Sequence, residues 1–186
     1  MSSLKLEIAQ ERPFASREEE ALLSLMRSAD CLNRAFHRKI RPWGITSTQY
    51  NVLRILRGAH PQGLTCSAIG SRMITAEPDI TRLLARLKAL KLIRQQRDRH
   101  DRRVLWTQIS PAGLTLLKEM DPLIEQIPID LLGHLDGNDL GELIRLLEVV
   151  RGNCDGMEAQ PTCDGRPRSS DPVSCEPPAL HPHPSE

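Results

Sequence analysis

Aromatic side chains are scarce, with two tryptophans, one tyrosine and two phenylalanines in 186 residues. Leu, Ile, Val and Met must therefore build the core. No apolar run approaches the ~18 residues of a membrane span. The opening Met1-Ser2-Ser3-Leu4-Lys5-Leu6-Glu7 lacks the long apolar region of an export signal. A cytoplasmic protein without membrane contact is the expectation. Five cysteines (Cys31, Cys66, Cys154, Cys163, Cys175) are odd in number and irregularly spaced, which excludes a disulfide framework and fits reduced thiols. Cys154, Cys163, Cys175, His181 and His183 match no compact zinc spacing, so no metal is expected. There is no phosphate-cradling glycine loop, no HExxH and no nucleophile elbow. Nothing supports an enzyme or a cofactor.

What is present is an uneven distribution of charge. The net charge is only +1, yet Arg72 to Arg103 holds ten basic and four acidic residues. The rest of the chain is correspondingly acidic. One basic region on an acidic protein suits docking to a polyanion through a single face. The densest part is Gln95-Gln96-Arg97-Asp98-Arg99-His100-Asp101-Arg102-Arg103, read as a turn between a helical pattern and the β-like run Val104–Ile109. A core has no use for such a turn. A protruding, mostly positive hairpin reaches a nucleic-acid backbone or groove.

The periodicity around it is mostly helical. Leu22, Leu25, Met26, Ala29, Leu32, Phe36 and Ile40 recur at three and four, which predicts a helix over about 16–41 with Ser16 as N-cap. Pro42 and Gly44 end it. Thr46-Ser47-Thr48-Gln49 is a capping box opening a second helix that carries Val52, Leu53 and Leu56. Gly58 to Gly63 is a turn, Leu64-Thr65 a very short strand, and Thr65 caps a third helix to about Met73. Pro78 sits in the first turn of a fourth helix, whose apolar face is Ile80, Leu83, Leu84 and Leu87. After the hairpin, Ser110-Pro111 is N-cap and N1 of a fifth helix that bends or breaks at Pro122 and Pro128. A last helix carries Leu140, Leu143, Ile144, Leu147 and Val150. Seven prolines in the 32 residues beyond Cys154 predict a disordered tail. The expected division is an arm over 1–15, a domain over 16–154 and the tail over 155–186.

Two short helices, a tight turn and a basic β-hairpin come in the order of a winged helix-turn-helix. The fourth helix enters the major groove and the hairpin is the wing, whose arginines suit a minor groove. The fold class is mostly α with a small β-hairpin. Candidate DNA contacts are Pro78, Asp79, Thr81, Arg82 and Arg86 on the helix, and Arg97, Arg99, Arg102 and Arg103 on the wing. Asp98 and Asp101 are expected to orient those arginines rather than touch an anionic partner. Arg82 reads equally as a DNA contact or the partner of a wing carboxylate. Asp79 accepts from a cytosine amino group or simply complements the helix dipole.

At this point the chain resembles the MarR family of bacterial regulators over about residues 20–150. Gly44-Ile45-Thr46-x-x-Gln49-Tyr50-x-Val52-Leu53 is similar to that family's entry into its second helix, and Ile80-Thr81-Arg82-Leu83-Leu84-x-Arg86-Leu87 to its recognition helix. Arg97-Asp98-x-x-Asp101-Arg102-Arg103 is similar to its wing, and Ile109-Ser110-Pro111-Ala112-Gly113 to the next helix start. Lys91 stands where the family usually has glycine, Pro78 is an unusual opening for the recognition helix, and the proline-rich tail has no counterpart in the family core.

The resemblance implies a homodimer with intertwined terminal helices on a pseudo-palindromic operator, acting as a ligand-responsive repressor on double-stranded DNA. It also implies a pocket for a small aromatic or phenolic effector near His37, Trp43 and Tyr50. Each of these three reads equally as core or dimer interface. Cys66, at a helix N-terminus, and Cys31, within a helix, are the candidates for a redox-sensing thiol, against the simpler reading of inert cysteines. The remaining alternative is a winged helix that binds protein, which predicts a wing without its basic excess.

Overall fold

The computed structural model describes residues 3–99 and 101–158. The chain divides into two units, one ending at Leu135 and the other beginning at Asp136. The first opens with a five-residue helix, α1 (Ser3–Glu7), inside the segment expected to be an arm. Five residues are too few for periodicity to reveal. Tertiary contacts hold this helix: Leu4 is buried, and Glu7 lies 3.7 Å from Arg27 of the next helix.

That helix, α2 (Arg17–Ile40), starts where Ser16 Oγ accepts the Glu19 amide at 3.1 Å. It gives way to a single 3-10 turn, Arg41–Trp43, closed by Gly44 at φ +73°. Of its apolar stripe only Ile40 is buried, while Leu22, Met26 and Leu32 are exposed. The expected capping box opens α3 (Ser47–Gly58), with Thr46 Oγ1 accepting the Gln49 amide and Gln49 Oε1 accepting the Thr46 amide. Leu64 pairs with Thr107 through two backbone hydrogen bonds of 2.8 and 2.9 Å, the short strand expected there.

Thr65 caps α4 (Cys66–Gly70), which stops three residues before Met73. Its last turn tightens into bonds from Arg72 to Ile69 and from Met73 to Gly70. Next comes α5 (Ile80–Ala89). Its N-cap is Asp79, whose Oδ1 accepts the Arg82 amide at 3.0 Å. Pro78 therefore precedes the helix and does not occupy its first turn. The carboxylate satisfies a free amide better than proline's fixed φ does, so the cap sets the boundary. Leu83, Leu84 and Leu87 of α5 join Val52, Leu53 and Leu56 of α3 in the core.

Strands β1 (Ile93–Arg97) and β2 (Leu105–Ile109) pair antiparallel, with Ile93 opposite Ile109 and Arg97 opposite Leu105. The first strand begins earlier than the charge pattern suggested and takes Gln95, Gln96 and Arg97 out of the turn. Buried Ile93 and Ile109 anchor both strands at the base of the hairpin. Ser110 and Pro111 open α6 (Pro111–Leu132) as expected. This helix runs unbroken through Pro122 and Pro128, against the expected interruption. Leu117, Met120 and Ile127 pack it on the core. Arg57 of α3 grips Asp121 with two bonds of 2.8 and 3.0 Å, and Lys39 of α2 reaches Asp130 at 2.8 Å. Both prolines are exposed, so the unpaired carbonyl one turn earlier lies on the water side. Packing outweighs a penalty of about 3 kcal/mol per proline.

The second unit contains α7 (Gly137–Glu158), four residues longer than the boundary at Cys154. Leu140, Leu143 and Leu147 are half-buried, and Ile144, Val149 and Val150 are exposed. Cys163, Cys175, His181, His183 and the part of the expected tail beyond Glu158 lie outside the described residues. No helix among the described residues is long and apolar enough to cross a membrane.

Candidate nucleic-acid interface

The helix-turn-helix is α4 and α5, and each sequence-predicted contact on it reaches solvent. Leu83, Leu84 and Leu87 turn one face of α5 into the core, which leaves Thr81, Arg82 and Arg86 exposed on the other. Arg82 and Arg86 border an open groove of about 330 Å³ shared with Thr46 and Thr48 at the start of α3. Glu77 and Asp79 line the same groove. Asp79 is committed to the Arg82 backbone amide and serves as the helix cap. Pro78 is exposed just before that cap. Among the described residues neither Arg82 nor Arg86 forms an ion pair, so the expected alternative of Arg82 with a wing carboxylate is absent there.

The wing tip is organised by its two aspartates, which act on the backbone of the turn. Asp98 Oδ1 accepts the Asp101 amide at 3.0 Å, and Asp101 Oδ1 accepts the Arg103 amide at 2.9 Å. Asp98 Oδ2 accepts the indole N–H of Trp106 at 3.0 Å. These bonds go to the turn's backbone and to an indole rather than to guanidinium groups. A tight turn strands amides, and a short carboxylate reaches its own neighbours' amides more readily than a long, solvated arginine. Of the wing arginines, Arg97 is committed, its Nη1 donating to the Arg102 carbonyl at 2.6 Å. Arg99, Arg102 and Arg103 are exposed, and among the described residues none has an ion-pair partner. The aspartates thus fold the backbone that carries free cations.

A separate cavity of about 250 Å³ lies where α2 meets α3, walled by Asn33, Phe36, Thr48, Tyr50, Asn51 and Ile74 among others. The rings of Phe36 and Tyr50 stand 5.8 Å apart, tilted by 54°. Burial pushes the Tyr50 hydroxyl above the ordinary tyrosine range, so it stays a neutral donor and acceptor. Asn51 is buried, its Oδ1 taking a bond from Arg54 at 3.1 Å and its Nδ2 facing the Met73 sulfur at 3.7 Å. Of the three residues expected at a pocket, only Tyr50 lines this one. His37 is one position beyond Phe36, a rotation of about 100° on a helix. It borders a neighbouring open groove with Arg34 and Arg38 instead. Trp43 sits on the 3-10 turn and packs half-buried against the core. Phe36 and Asn51 were missed because each fits the apolar stripe or a polar helix position. Only the pairing of α2 with α3 brings them together.

Cys66 is half-buried against the core, and Cys31 is exposed on α2. Both are free thiols, as is the exposed Cys154. Among the described residues no cluster of three His, Cys, Asp or Glu could hold a metal.

Known proteins share this sequence pattern and this geometry. A sequence model of the MarR family matches residues 43–104, which run from the end of the 3-10 turn after α2 through the wing turn. The HTH-type transcriptional regulator TtmR of Methylorubrum extorquens is 28% identical over 145 residues, covering 78% of this chain and 71% of that protein. The crystal structure of a MarR transcription factor from Planctomyces limnophilus is 38% identical and superposes with a TM-score of 0.57, covering 74% of this chain and 99% of that one. Bordetella bronchiseptica BpsR, whose structure concerns regulation of DNA binding by 6-hydroxynicotinic acid, is 26% identical, with a TM-score of 0.64 over 72% of this chain and 99% of that one.

Proposed function

Because this chain belongs to the MarR family of transcriptional regulators, we propose that it binds a pseudo-palindromic operator as a homodimer and represses transcription until a small ligand loosens its grip. The observation that carries the DNA-contact reading is the set of exposed cations without ion-pair partners among the described residues on two projecting elements: Arg82 and Arg86 on α5, and Arg99, Arg102 and Arg103 on the wing. A structural arginine is normally paired or packed. A row of free ones gains most by neutralising phosphates and releasing counterions. In this reading α5 sits in the major groove with Thr81, Arg82 and Arg86 toward base edges, and Arg102 and Arg103 reach the flanking minor groove.

The effector site we assign is the 250 Å³ cavity between α2 and α3. A cavity of about 150 Å³ holds benzene, so this one accommodates a substituted single ring. Phe36 and Tyr50 supply aromatic walls, and Asn33, Thr48 and Asn51 supply hydrogen bonds, which fits a small aromatic or phenolic compound. BpsR lends support as a relative whose DNA binding is regulated by a hydroxylated ring acid. For such a ligand to act, it must bind a DNA-incompetent conformation more tightly than the competent one.

Fluorescence anisotropy with a duplex from upstream of the protein's own gene tests the core of this reading. Affinity should fall steeply with salt. Arg102→Ala should weaken binding and reduce the log–log salt slope by about 0.9 for each phosphate it no longer neutralises. Binding that is absent even at low salt would overturn it and favour a winged helix that docks on protein.

A further inference from the structure

We infer that Trp106 is a positioning residue for DNA binding: through Asp98 it latches the wing tip in the conformation that presents Arg102 and Arg103. The inference rests on the proposal above that these arginines contact DNA.

Trp106 is misplaced for a core residue. The two-residue period of β2 sends Thr107 and Ile109 inward, where both are buried, and turns Trp106 to the opposite face. It is only half-buried and is not one of the residues packed against the core. Its strand partner is the exposed Gln96, which offers little apolar surface. A large ring in that position gains less from burial than one in the core. What it has is a directional bond, its indole N–H to Asp98 Oδ2 at 3.0 Å.

That bond is the foot of a chain of contacts running to the tip. The other oxygen of Asp98 takes the Asp101 amide, and the Asp101 carboxylate takes the Arg103 amide. The Asp98 amide donates to the Val104 carbonyl at 2.9 Å, and the Val104 amide to the Asp101 carbonyl at 3.0 Å. Arg97 clamps the Arg102 carbonyl at 2.6 Å from the other strand. The bonds among Asp98, Asp101, Arg103 and Val104 stay within the turn, and the Arg97 clamp ties it to β1. The indole N–H is a contact that ties Asp98, and so the turn, to the framework of β2. An indole offers one donor and no acceptor, so phenylalanine keeps a ring and deletes the latch. A wing held in place before binding loses less conformational freedom on reaching DNA.

The test is a double-mutant cycle read by anisotropy with the duplex used above, alongside thermal unfolding. Trp106→Phe is one arm and the pair Arg102→Ala, Arg103→Ala the other. Asp98→Asn, which can turn only an N–H₂ or a single oxygen to the indole and the Asp101 amide together, is the second latch variant should Trp106→Phe fold poorly. The latch predicts that Trp106→Phe weakens binding about tenfold, the scale of one hydrogen bond to a charged group, with little change in melting temperature. It further predicts that the same substitution costs almost nothing once both arginines are alanine, because the two changes act through one contact. If the arginine pair weakens binding but Trp106→Phe has no effect, or adds its full penalty to theirs, the latch is overturned and the wing contact stands. If the arginine pair itself leaves affinity and salt slope unchanged, the wing reading fails and the latch with it.

Discussion

Lys91 holds φ at +60°, a left-handed backbone that glycine adopts freely and lysine does not. The site is over-determined: the Lys91 amide donates to Lys88, and its carbonyl takes the Ser110 hydroxyl at 2.7 Å. The carbonyl bond ties the end of α5 to the start of α6, so the strain is held by both sides of the wing. Lys91→Gly should raise stability by about 1 kcal/mol in urea unfolding, and no gain would show that lysine's contacts offset its backbone cost. Gly113 has the opposite constraint. A Cβ there would collide with the Leu92 carbonyl and come within 2.8 Å of Ile109. Gly113→Ala should therefore cost about 1–3 kcal/mol by overpacking, and a neutral result in the same assay would mean α6 can shift outward. The unusual lysine was legible in the sequence because its departure from the family pattern falls at a helix end. The contact at Gly113 was not, since Leu92 lies 21 positions away and no local pattern encodes that approach.

Four side-chain caps were legible, whereas Asp79, which caps α5 in the same way, was not read as a cap. Ser16, Thr46, Thr65 and Ser110 all accept the amide three residues on, as their spacing predicts. Thr46→Ala should cost about 1 kcal/mol of stability and loosen the entry to α3 beside the cavity, measured by denaturant unfolding. Elements decided by tertiary contact were misread. The start of β1 at Ile93 depends on pairing with Ile109, and the continuity of α6 depends on Arg57, Lys39 and the core holding it across two prolines. The Lys39 tie also predicts a pH effect. Its hydrogen bond, then that of Gln126, holds the Asp130 carboxyl below the ordinary aspartate range. A carboxyl lowered on folding stabilises above its unfolded value and loses that contribution as pH falls through the folded one. Asp130→Asn should thus lower the melting temperature at neutral pH and converge with the parent in acid. The effect should be small, since the pair is exposed and screened by salt. Parallel curves at all pH values would remove this assignment.

At the scale of the molecule, the long α2 stripe was read correctly as helix, yet what it faces could not be read. Of seven apolar positions only Ile40 is buried, while Leu22 and Met26 are 58% and 61% exposed. In the second unit, Ile144, Val149 and Val150 of α7 are likewise open. Exposed apolar side chains on α2, and separately on α7, are the kind of surface that a partner covers, and the partner we propose is a second copy of the chain. A dimer also suits the charge pattern. In the proposed dimer each subunit would offer one basic region in an otherwise acidic chain, and two such regions on one duplex would convert the second half-site contact into an intramolecular event. Sedimentation should give twice the 20.9 kDa chain mass. Leu22→Asp combined with Met26→Asp should yield monomers that still unfold cooperatively, because neither residue contributes to the core. Those monomers should keep the wing and α5 but bind a two-half-site duplex about a hundredfold or more weakly, the scale of bivalency. Their affinity for a duplex with one half-site should change little. A parent protein that sediments as a monomer while binding the full site tightly would break the argument, and α2 would then need another partner.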